Sequence, residues 1–167
     1  MTESTITDAL NALTVDGVRA DGQHDDADGL QKAIDNARTV HLPHTDGGYL
    51  ISKTLKIGSG QTLIADRQAR IRLADHSRGA HLVENSDQRE WQDDISVIGG
   101  IWDGNNETQT CHYHETARYE EGFSGDGRIP YDPDAALGMI FQFDKVRRLV
   151  LRGCTFKDPE MFAVHMG

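Results

Sequence analysis

Apolar residues recur at helical spacing most clearly in one place along the chain, and only weakly in residues 1–18. Leu30, Ala33, Ile34 and Ala37 fall at i, i+3, i+4 and i+7, which predicts a short amphipathic helix over 25–37. Asp25 or Asp26 can accept the free amides of its first turn, and Asp28 adds negative charge at the positive end of its dipole. A metal-binding reading of the three aspartates is the weaker one, because the apolar period begins directly after them. Gly29 inside the helix costs about 1 kcal/mol relative to alanine.

Elsewhere the period is two, in short runs broken by Gly, Pro, Asn and Asp. Strands are predicted at Thr39–Leu42, Tyr49–Ile51, Thr54–Ile57, Gln61–Ala65, Arg70–Leu73, His81–Glu84, Ile95–Ile98 and Ile101–Asp103. The segment 104–137 is polar and rich in tyrosine, without regular period, and is expected to be a long loop. Strands resume at Met139–Phe143, Leu149–Arg152, Thr155–Lys157 and Phe162–Met166. Residues 1–18 read as an N-terminal arm in which Leu10 and Leu13 pack onto the body, and 19–167 as the cap and first turns of one domain.

Two strand–corner–strand units can be superposed. Ile95-Ser96-Val97-Ile98-Gly99-Gly100-Ile101-Trp102-Asp103 aligns with Leu149-Val150-Leu151-Arg152-Gly153-Cys154-Thr155-Phe156-Lys157. Apolar residues match at the first and third places, glycine at the fifth and an aromatic at the eighth. Leu63–Asp66 followed by Ile71–Leu73 is a looser copy. Such a unit is the rung of a β-solenoid, in which each rung buries its inward residues only against its neighbours.

Composition narrows the function classes. The chain has 167 residues, a formal charge of −10 and 17 glycines, so tight turns are frequent and a basic nucleic-acid surface is not expected. Two cysteines make no disulfide framework, and neither a signal peptide nor a membrane-spanning run is seen. A cytoplasmic protein is therefore expected, or a secreted one if a signal has been removed. No cofactor is implied.

The stretch Ala20–Ile34, ADGQHDDADGLQKAI, resembles the GDGxxDDTxAIQxAI signature of the pectin-degrading right-handed β-helix superfamily. Thr39–Pro43 with Tyr49–Ile51 is similar to its TVYLPxGxYxI continuation. Gly99–Asn105, GGIWDGN, and Val146–Asp158, VRRLVLRGCTFKD, resemble rungs of glycoside hydrolase family 28, the polygalacturonases. The resemblance implies an all-β, right-handed single-stranded parallel β-helix with a short N-terminal capping helix. It implies action on a uronic-acid-rich polysaccharide or oligosaccharide. The family's Asn-Thr-Asp, Asp-Asp, Gly-His-Gly and Arg-x-Lys motifs follow the segment that Lys157–Gly167 resembles; the chain has no Asn-Thr-Asp, Gly-His-Gly or Arg-x-Lys, and its two Asp-Asp pairs lie in the cap (Asp25-Asp26) and before a strand of an earlier rung (Asp93-Asp94). The expectation is thus the N-terminal part of a polygalacturonase-like enzyme, inactive alone. A non-catalytic carbohydrate-binding or structural β-helix, tailspike-like or from a truncated gene, is the alternative. An open solenoid end would favour self-association.

Four residues stand out as candidates for touching substrate: His165 on the last predicted strand, and His112, Tyr113 and His114 in the long loop. Cys111, His112, His114 and Glu115 could ligate zinc, but their spacing fits no usual pattern, and no metal is expected. Tyr113, Tyr119 and Tyr131 either stack on sugar or pin the loop.

Overall fold

The computed structural model describes residues 8–77, 80–109, 139–159 and 162–167. Its strands are β1 (Leu10–Asn11), β2 (Asp21–Asp25), β3 (Thr39–Leu42), β4 (Gly48–Ile51), β5 (Leu55–Ile57), β6 (Thr62–Leu73), β7 (Val83–Asn85), β8 (Gln92–Asp93), β9 (Ser96–Asp103), β10 (Phe141–Phe143), β11 (Val146–Arg147), β12 (Val150–Arg152), β13 (Thr155–Lys157) and β14 (Val164–Met166). Among the described residues one α-helix, α1, spans Ala27–Asn36. The fold is all-β with parallel pairing throughout these strands.

The strands form a sheet of eight, a sheet of four (β5, β7, β10, β14) and a pair (β8, β11). From β6 onward the chain visits them in rotation: large sheet, four-stranded sheet, pair, and back to the large sheet. Each return lays like on like. Leu10, Val40, Leu63, Val97 and Leu151 form one column, and Tyr49, Ile71, Trp102 and Phe156 a second. Leu55, Val83, Phe141 and Val164 form a third. Phe141 meets Trp102 and Phe156 edge-on at centroid distances of 4.9 and 5.0 Å, so aromatic rings tie the columns together.

The superposed repeat is borne out residue by residue. Val150, Leu151 and Arg152 pair with Ser96, Val97 and Ile98, and Thr155, Phe156 and Lys157 with Ile101, Trp102 and Asp103. The looser copy also pairs, but Ala65 sits opposite Gly99 and Arg70 opposite Ile101, so β6 bulges outward there. The segments expected as separate strands at 61–65 and 70–73 are therefore one bent strand.

Three details of the start differ from expectation. The helix begins at Ala27 rather than Asp25, because Asp25 ends β2 and its carboxylate accepts the amides of Ala27 and Ser52, both at 3.1 Å. Asp26 makes no cap bond to the helix; buried, it accepts the amides of Arg19 at 2.7 Å and Ala20 at 3.2 Å. Residues 10–14 are built into the fold: β1 pairs with β3 and Ala12 is buried, whereas Leu13 is exposed. At the other end Val150, Phe162 and Met166 are exposed on the last turn of the described chain.

Candidate functional site

Alternation fixes what the four-stranded sheet shows to solvent. Its inward column is apolar, so the intervening residues Lys56, Glu84, Gln142 and His165 face outward, each in register with the next. Neighbouring strands lie about 4.8 Å apart, which makes this row a ladder of closely spaced donors and acceptors.

The row is anchored by its neighbours. Lys56 Nζ lies 3.2 Å from Glu84 Oε1, and Gln142 Nε2 donates to Asp144 Oδ2 at 3.0 Å. Inward-facing Asn85 is buried; it donates to the carbonyls of Asp87 and Asp144 and accepts the Asp144 amide at 2.9 Å, fixing the turn that carries Asp144. His81 enters from the start of β7. Its Nδ1 accepts the Met139 amide at 3.1 Å, so the ring is held as the neutral tautomer protonated on Nε2. Burial is the main cause that pushes its pKa below the ordinary value, against the pull of Glu84 and Asp144.

His165, expected from the sequence to contact substrate, takes the end of this row. Its Nδ1 is shielded from solvent without a hydrogen-bond partner among the described residues and lies 3.9 Å from Asp144 Oδ1. The structure brings it together with Gln142, Asp144, Glu84 and His81, which no sequence motif marks. Leu82-Val83-Glu84-Asn85 shows no apolar alternation, so the outward place of Glu84 is readable only once β7, β10 and β14 are in register. His112, Tyr113 and His114 lie outside the described residues, as do Cys111, Glu115, Tyr119 and Tyr131. Among the described residues no group of three or more His, Cys, Asp and Glu is arranged to hold a metal, and no helix is long and apolar enough to cross a membrane.

A second polar feature, a cleft of about 160 Å³, opens on the large sheet beside Arg70, Arg72, Asp103, Asn105 and Lys157. Its cations are matched from within. Asp103, buried, accepts Nε of Arg70 at 3.2 Å and the Asn105 amide at 3.0 Å. Arg72 donates to Asn105 Oδ1 at 2.6 Å, and Lys157 Nζ lies 3.0 Å from Asp158. Burial would raise the Asp103 pKa, but these bonds and the charges of Arg70 and Lys157 hold it below the carboxylate range. This network ties β6, β9 and β13 together and explains the Trp102-Asp103-Gly104-Asn105 run: one core ring, one buried anchor, one close approach and one left-handed corner at φ 51°. Among the described residues the carboxylate held above its ordinary range is Asp26, which is spent on the Arg19 and Ala20 amides beside α1.

No family model matches the chain, and no curated protein matches it. Solved structures do. A crystal structure of PfbA, a surface adhesin of Streptococcus pneumoniae, superposes with a TM-score of 0.60 at 20% identity, over 89% of this chain and 33% of that one. A second structure of the same pneumococcal surface protein and adhesin gives 0.58 at 21% identity, over 89% and 35%. The likeness is one of fold, and the chain spans about a third of the length of the structures it matches.

Proposed function

We propose that the chain is the N-terminal part of a right-handed single-stranded parallel β-helix whose four-stranded face binds a uronic-acid-rich polysaccharide. The observation that carries the binding reading is the register-aligned outward row Lys56–Glu84–Gln142–His165. An extended glycan laid across the strands meets a new polar group at every step, with the Lys56 ammonium and the His165 ring nitrogens available to its carboxylates and hydroxyls. The winding reading is supported by the in-register columns, by the rotation among three parallel sheets and by the fold shared with an adhesin. The choice of acidic sugar comes from the resemblance of Gly99–Asn105 and Val146–Asp158 to polygalacturonase rungs.

Hydrolysis by a longer protein is a second reading. What favours it is that Glu84, Asp144, His81 and His165 share one face, the kind of surface on which paired carboxylates work. Affinity electrophoresis in gels cast with polygalacturonate tests binding, and reducing-sugar release from the same polymer tests hydrolysis. Retardation of the 167-residue chain without sugar release is expected. Unretarded migration would overturn the binding reading, and release of reducing ends would replace it with the enzymatic one.

A further inference from the structure

Trp91 is 60% exposed, while the chain's other tryptophan, Trp102, is fully buried. An indole left in water forgoes a large hydrophobic gain unless something covers it part of the time. The segment that carries it is held firmly. Asp87 Oδ1 accepts the amides of Arg89 at 2.8 Å and Glu90 at 3.3 Å, and Lys145 Nζ donates to the Arg89 carbonyl at 2.5 Å. The ring rests on a shelf: the Arg147 guanidinium carbon lies 5.8 Å from its centroid. That guanidinium is itself clamped by two bonds to Asp93, at 2.8 and 2.7 Å, and next to it Arg148 grips Asp94 at 2.6 and 2.8 Å. The pairing of β8 with β11 brings these residues to one place.

The position continues the polar row. Trp91 follows β7, which carries Glu84, and Arg147 follows β10, which carries Gln142, each after one short turn. A glycan leaving the row in the direction of the strands reaches this corner next. We propose that Trp91, backed by Arg147, is a stacking platform for one pyranose ring of the bound glycan. The axial C–H face of the sugar would lie on the indole face turned away from the Arg147 guanidinium. This rests on the four-stranded face being the glycan-binding face, and it adds a subsite off the row. A rigid aromatic anchor with a polar rim suits a ring that is apolar on its face and hydroxylated at its edge.

The test uses the full chain and oligogalacturonate as probe, with tryptophan fluorescence as readout. Because Trp102 is buried, iodide quenching reports Trp91. Oligogalacturonate is expected to shield Trp91 from iodide and shift its emission to the blue. Trp91→Ala, at an exposed position, is expected to fold as the parent does and to bind about tenfold more weakly. Trp91→Phe is expected to recover part of that loss. If the probe binds and His165→Ala weakens it, but Trp91 stays open to iodide and Trp91→Ala binds like the parent, the platform is refuted while the row stands. If no probe binds, both fall. If Trp91 is shielded only by a protein partner and never by sugar, the platform is equally refuted.

Discussion

The indole N–H of Trp102 donates to the carbonyl of Gly99 across 2.8 Å, so one side chain fills the core and closes the corner that precedes it. Gly99 sits at φ 75°, and a Cβ there would lie 2.1 Å from the Ala65 carbonyl on β6. Gly153 holds the same place in the next repeat, at φ 66°, with nothing within 4 Å of such a Cβ. Gly153→Ala should therefore cost only the left-handed strain, about 1–2 kcal/mol. Gly99→Ala adds a backbone clash and should cost clearly more. Urea unfolding of the two variants checks the order, and equal losses would contradict it.

Gly29 reverses an expectation from helix propensity. Alanine is about 1 kcal/mol better in a helix, yet a Cβ on Gly29 would fall 2.6 Å from the Gly17 carbonyl carbon and 2.7 Å from Val18 Cγ2. The crossing of the N-terminal segment over α1 needs the bare backbone. Gly29→Ala is expected to lower the thermal midpoint, and a rise would show that the segment moves aside freely.

Asp103 supplies acid sensitivity. Burial works against its charge, but the Arg70 bonds, the Asn105 amide and nearby Lys157 keep its folded pKa below 3.8. A carboxylate lowered on folding contributes stability above its unfolded pKa and loses it as pH falls through the folded value. Asp103→Asn should cost about 1–3 kcal/mol at neutral pH. It should also make the loss of stability below about pH 3.8 shallower. Denaturant midpoints measured from pH 7 to pH 2 test both.

His81 acts in a different window and with the opposite charge type. Its folded pKa is below 6.5, chiefly through burial, so the unfolded chain binds a proton that the folded chain refuses. Stability should fall as pH drops from about 6.5 toward the folded value. In His81→Gln, whose amide oxygen can still accept from Met139, that part of the decline should disappear. A parent and variant with parallel curves between pH 7 and pH 5 would contradict it.

The repeat was legible because glycine corners and aromatic positions fall at fixed places in both copies, and the pairing of Leu151 with Val97 and Phe156 with Trp102 follows from it. Strand β2 was not legible: Asp-Gly-Gln-His-Asp has no apolar alternation, and its pairing comes from β4 alongside. The two-residue strands β8 and β11 are likewise too short to show an alternation, and they are held by Arg147 and Asp93. Of the site, His165 was legible as a polar residue inside an apolar strand. Glu84 and Asp144 were not, because three-residue strands reveal their outward positions only when stacked on one another.

The most direct test of the binding face is calorimetric titration of the 167-residue chain with oligogalacturonate, for the parent and for Gln142→Ala and His165→Ala. Both side chains face outward, so their removal should leave folding intact. The expected result is saturable binding by the parent and at least a fivefold weaker association for each variant. Heat of dilution alone for the parent, or unchanged affinity in both variants, would show that the row does not bind this glycan.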